Sequence, residues 1–226
     1  MCFIQIGSCS ANLDTNIQDG FSNYVVSKNT KKKIFIIEAN FIHIDNLKKF
    51  YQKNINVKIF NLAIIPDDVN LKIMDFFYCL EDFPNYQIFS NSKSFVKKHF
   101  PDGKIEKRSV KCLRISEFFD KNNIDTIDYL SIDIEGMDYS VLMKLDLKRF
   151  KIKNISFEHL HLTFWQKIKI VARLINNGYF FSGMGFDLRK SDWMFTKNYK
   201  YKKLQTIMLP ITPRRIWKKY KFSTLG

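Results

Sequence analysis

The sequence predicts an α/β fold, one domain built on a doubly wound, mostly parallel sheet. Two observations carry that reading. Short apolar runs alternate with longer segments of helical period, the order expected of βαβ units. Glycine or acidic residues close those runs, just past the carboxyl ends of the strands, where the ligand crevice of an open α/β sheet lies. With 226 residues, 46% of them hydrophobic, the chain is long enough for one substantial core and too short for a second domain of ordinary size.

The predicted elements follow in order. Phe3–Ile6 is a first strand ended by Gly7, and Lys33–Glu38 a second, followed by a helical stretch over 42–53 and a third strand over Val57–Leu62. Residues 67–111 are less regular, with Pro-Asp-Gly at 101–103, and are expected to form an irregular covering insertion of hairpin and loop. Regularity returns with a short helix over 116–121 and the strongest strand, Ile127–Asp133. A helix over 138–145, a strand Ile152–Glu158 and a helix over 164–176 come next, the last stopped at Gly178. Strands at 179–182 and 193–196 complete the set. Residues 1–197 are thus expected to form the domain and 198–226 a basic tail.

Composition removes several classes. The four cysteines, Cys2, Cys9, Cys79 and Cys112, form no CxxC pair, which argues against a zinc ribbon or a secreted disulfide framework. The first residues lack a basic segment and carry too short an apolar run for a signal peptide, and no stretch reaches the roughly 18 apolar residues of a membrane span. A cytoplasmic protein is expected, with peripheral membrane contact as an addition. Lys and Arg number 37 against 22 Asp and Glu, a net charge of +15, so acidic partners must be weighed. Nine of the basic residues and none of the acidic ones follow Asp192. The tail is therefore expected to form a basic surface, on anionic lipid or against an acidic substrate.

Four places carry candidate chemistry. Gly7 lets backbone approach a ligand closely, although a lone glycine after a strand is more often a plain turn. Glu38 ends the second strand, where a carboxylate can accept two hydrogen bonds from a ribose diol; the plain alternative is a solvated acid. Its 31-residue distance from Gly7 exceeds the roughly 20 of the nicotinamide fingerprint and lowers the case for that cofactor. The densest cluster is Asp133-Ile-Glu-Gly-Met-Asp138. Asp133 and Glu135 can bind a cation, orient a cofactor or take a proton, while Asp138 reads as a helix cap. Last is Phe157-Glu-His-Leu-His161, which holds two of the four histidines beside an acid.

Taken together, these blocks resemble the FkbM family of S-adenosylmethionine-dependent methyltransferases. The resemblance rests on Ile4 to Asn12, Ile36 to Asn40, Asn61 to Ile64, Ile127 to Leu142, Phe157 to His161 and Asn177-Gly-Tyr179, in the family's order over about 3–195. It implies a seven-stranded, Rossmann-like class I methyltransferase fold. Gly7 and its loop would face the methionine part of the cofactor, Glu38 the ribose, and the turn from Asn61 to Ala63 the adenine, with Asn40 also in the cofactor site. Asp133 and Glu135 complete the expected cofactor set. The implied reaction is O-methylation of a sugar or another small-molecule hydroxyl. His159, His161 and Glu158 are the candidates for removing the hydroxyl proton. His159 is expected to reach the crevice better, because the strand ends near it. A divalent metal held by Asp133 or Glu135 is a lesser expectation. The alternative class is a nucleic-acid binder or RNA methyltransferase using the tail, with Tyr199, Tyr201, Trp217 and Tyr220 as stacking surfaces. No RNA-recognition signature supports it.

Overall fold

The computed structural model describes residues 1–14, 17–18, 20–28, 31–82, 88–134, 136–185 and 192–198. Seven strands make the central sheet. In chain order they are β1 (Cys2–Ile6), β2 (Lys33–Glu38) and β3 (Val57–Asn61), then, after a covering insertion, β7 (Thr126–Ile132), β8 (Asn154–Glu158), β9 (Phe180–Met184) and β10 (Asp192–Thr196). In and around the insertion lie β4 (Ala63–Ile65), β5 (Ile73–Cys79) and β6 (Ile105–Arg114). Across the central sheet the order is β9-β10-β8-β7-β1-β2-β3, with a two-residue strand, Lys151–Ile152, added beside β7. All neighbours in the path run parallel except β10, which is antiparallel to both β8 and β9. This is the doubly wound, mostly parallel sheet that the alternation of runs predicts.

Period-two alternation explains how the sheet is covered on both sides. Ile4, Ile6, Phe35 and Ile37 join one apolar cluster, while their neighbours Phe3, Ile34 and Ile36 join another. Helices α4 (Ile115–Lys121), α5 (Asp138–Lys144) and α6 (Phe164–Asn176) close the first cluster through Phe118, Phe119, Val141, Leu142, Ile170 and Leu174. Helices α1 (Gly20–Lys28) and α2 (Ile44–Phe50), with Tyr51 just beyond α2, close the second through Phe21, Val25 and Leu47. Strands buried on both faces read as unbroken apolar runs, and six of the seven residues of β7 are buried.

Local signals end the elements where packing needs them to end. Helix α6 begins at a capping box: the Thr163 hydroxyl accepts from Gln166 N at 3.3 Å and Gln166 Oε1 accepts from Thr163 N at 2.8 Å. It stops before Gly178, whose φ of +81° is the left-handed turn that glycine adopts without strain.

The insertion is more ordered than an irregular cover. Strands β5 and β6 pair antiparallel along their length, β4 pairs parallel with β6, and helix α3 (Lys93–His99) is capped by the Ser92 hydroxyl. Its own apolar cluster contains Ile65, Phe76, Phe89 and Val110. The sequence obscured this because β6 does not alternate there, with Glu106, Lys107, Arg108 and Ser109 forming an unbroken polar run. Among the described residues no helix is long and apolar enough to cross a membrane.

Candidate active site

Register brings the candidate residues onto one line. Ile6 pairs with Ile37 on one side and Ile132 on the other, and Ile132 pairs with Phe157. The residues one step further, Gly7, Glu38, Asp133 and Glu158, therefore stand side by side along the carboxyl edge, about 4.8 Å apart from strand to strand. Asn61 extends the row beyond Glu38, and Asp192 extends it beyond Glu158 by antiparallel pairing. Asp192 is buried, and a search for acids that close strands misses it because it opens one.

Above the middle of this row lies an open cleft. Its lining includes Gly7, Glu38, Asn40, Ala63 and Asp133 from the expected set, together with Cys9, His43, Phe76, Phe89 and Met137. Gly7 has φ +79°, and a Cβ there would collide with the carbonyl oxygen of Asp133; only glycine allows β1 and β7 to lie so close at their ends. Asp133 N donates to Ile6 O at 2.9 Å and fixes that closure.

Glu38 is almost wholly enclosed. Its Oε2 accepts from Cys9 N and its Oε1 from Asn40 N, both at 2.7 Å. Burial pushes its pKa up, opposed by the Asn40 N–H, the nearby His43 and the N–H groups of Cys9 and Ser8. The Asn61 amide donates to the carbonyls of Glu38 and Ala39 at 2.9 and 3.1 Å and holds the turn after β2 in place. Cys9 Sγ lies 3.3 Å from His43 Nε2. Neither residue stands in a motif, and only the fold brings them together. Beside Cys9, the buried Ser8 hydroxyl has no hydrogen-bond partner among the described residues.

The histidine segment divides. His159 is buried, its ring stacked on Trp193 with centroids 4.4 Å apart and planes 14° apart. It does not line the cleft. The chain turns away immediately after β8, which overrides strand alternation as a guide. His161, which does not line the cleft either, is exposed, with Nε2 3.5 Å from Glu158 Oε2 and Phe95 of α3 edge-on to its ring at 5.1 Å. Partial burial and the neighbouring His99 and Lys98 lower its pKa. Asp138, expected as a helix cap, instead reaches back so that Oδ1 accepts from Ile134 N at 3.2 Å, and it clasps the turn after β7. Burial raises its pKa to about 6. Glu135 and the tail with its aromatic residues lie outside the described residues. Among the described residues no three histidine, cysteine or carboxylate groups converge as metal ligands.

The chain matches the methyltransferase FkbM domain over residues 5–201. Among solved structures it is similar to precorrin-6y C5,15-methyltransferase from Geobacter metallireducens GS-15, with 13% identity over 87% of this chain and 78% of that one and a TM-score of 0.40. It is also similar to the ribosomal protein L11 methylase from Lactobacillus delbrueckii subsp. bulgaricus, with 13% identity over 86% and 69% and a TM-score of 0.36. Comparison with curated protein sequences gives no match.

Proposed function

Because the chain belongs to the FkbM family of methyltransferases, we propose that it transfers the methyl group of S-adenosylmethionine to a hydroxyl oxygen of a sugar or another small molecule. The observation that carries this reading is the row of Gly7, Glu38 and Asp133 at the adjoining ends of β2, β1 and β7, beneath one cleft.

The residues present fit the cofactor. A carboxylate offers about four lone-pair sites, and the backbone N–H groups of Asn40, Cys9 and Ser8 occupy three of those of Glu38, so one is left for a ribose hydroxyl. Phe76, Phe89, Ala63 and Met137 give the cleft apolar walls suited to a flat base. The unpaired Ser8 hydroxyl and the exposed Asp133 carboxylate leave polar groups for the charged end. When bound, S-adenosylmethionine supplies an electrophilic methyl on a positively charged sulfur.

The remaining chemistry is the removal of a proton from the attacking hydroxyl. His161 is our candidate base. Its lowered pKa keeps the imidazole neutral at pH 7 and able to accept that proton. Glu158, 3.5 Å from its Nε2, orients the ring and favours the imidazolium that forms. His159, packed on Trp193, supports the segment from below.

Calorimetric titration with S-adenosylmethionine and with its demethylated product tests the cofactor, with micromolar binding of both expected. Absence of binding to a folded sample overturns the reading. Transfer of labelled methyl to amines or carbon in preference to hydroxyls overturns the oxygen assignment alone.

A further inference from the structure

Eight large apolar side chains stand well exposed among the described residues, and three of them fall within six positions: Leu160 at 49%, Phe164 at 59% and Trp165 at 69%. Single exposed apolar residues are ordinary, whereas a contiguous patch marks an interaction site. These three occupy the loop after β8 and the first turn of α6. The Phe164 and Trp165 rings meet at 5.6 Å. The loop beneath is anchored, with Leu162 buried and His159 stacked on Trp193, so the tip is held on a firm base.

Charge identifies what the tip meets. Through Phe95 and His161 the loop abuts helix α3. The two joined segments, 88–99 and 159–170, contain Lys93, Lys97, Lys98, Lys167 and Lys169 and no acidic residue. None of these five lysines forms an ion pair among the described residues. Elsewhere on the surface seven of the described lysines do, among them Lys107 with Asp75, Lys121 with Glu117 and Lys144 with Asp68. Leucine, phenylalanine and tryptophan ringed by unpaired lysines are the composition of a surface that sits in a bilayer interface, apolar side chains among the acyl chains and cations against anionic headgroups. We propose that this tip docks the protein on an anionic lipid bilayer, independently of the basic tail. A nucleic-acid surface would use the cations and the rings but leave Leu160 without a partner.

The test uses the full chain and vesicles of phosphatidylcholine with or without a minority of phosphatidylglycerol, at low and moderate salt. Wild-type protein is expected to sediment with the anionic vesicles and less so as salt rises. Phe164→Ser with Trp165→Ser should weaken that partition about tenfold or more. Lys97→Gln with Lys98→Gln should weaken it by up to about fivefold for each lysine and reduce the salt dependence. Both variants should bind S-adenosylmethionine as the wild type does, since none of the four residues lines the cleft. Full binding by the aromatic variant would show that the tail alone carries attachment, and failure of the folded wild type to bind anionic vesicles would assign the patch to a protein partner or to the chain's own tail. Either result overturns the proposal. The docking does not depend on the methyl-transfer reading, whose own test is cofactor titration.

Discussion

Two enclosed carboxylates mark opposite ends of the central sheet. Asp128, at the amino end of β7, is met by two lysines, Lys153 Nζ on Oδ1 at 2.6 Å and Lys32 Nζ on Oδ2 at 2.9 Å. Burial pushes its pKa up, but the hydrogen bonds and charges of Lys153 and Lys32 outweigh that and hold it below the ordinary range. Glu38, at the carboxyl end of β2, receives its two short hydrogen bonds from backbone N–H groups, and burial leaves its pKa raised. A structural acid is neutralised by neighbours on the spot. Glu38, which we propose is kept for the cofactor, is positioned by the backbone instead. The amino edge of the sheet should therefore respond to mutation in stability and the carboxyl edge in function.

The largest expected effect lies at the carboxyl edge. His161→Ala should lower turnover by about a hundred- to ten-thousand-fold, the usual loss for a general base, with cofactor affinity nearly unchanged. Turnover that survives across pH 6 to 9 in roughly wild-type measure would move the search to Asp133. His159→Ala makes the useful control, since a ring stacked on Trp193 should affect melting temperature more than rate.

Next in size, Glu38→Ala should weaken cofactor binding by about 1.5–3 kcal/mol, the range for a hydrogen bond to a charged group. If calorimetry finds cofactor affinity intact and thermal denaturation finds the fold weakened, Glu38 belongs with Asp128 and the contrast between the two ends is lost.

Asp138 sharpens the contrast through pH. Its folded pKa of about 6 lies above the ordinary 3.8, so the folded state holds the proton more tightly than the unfolded chain. Stability should therefore fall as pH rises from about 4 to about 6 and level off above, a change of at most about 3 kcal/mol from this group. Asp138→Asn keeps an acceptor for Ile134 N and should remove that slope in urea titrations at stepped pH.

The smallest effect is expected at the amino edge. Asp128→Asn should cost about 1–2 kcal/mol of stability, because both lysines are substantially exposed and water replaces much of what they lose. Cofactor affinity should not change, and a loss comparable to that of Glu38→Ala would couple the two ends.

The sequence by itself determined the order of strands and helices, and with it the residues that close β1, β2, β7 and β8. Gly7, Glu38, Asp133 and Glu158 were legible because parallel strands all end on one edge, so the residue after each apolar run is carried to that edge by connectivity alone. The tertiary structure decided what no local pattern encodes. Asp192 joins the row only because β10 runs antiparallel. Cys9 meets His43 across 34 positions, and Phe76 and Phe89 reach the cleft from an insertion whose β6 carries an unbroken polar run in place of alternation. The fates of His159 and His161 depended on where the chain leaves the sheet. Alternation assigns faces only while a strand continues, and past its end the packing of Trp193 and Phe95 sets where each ring lies.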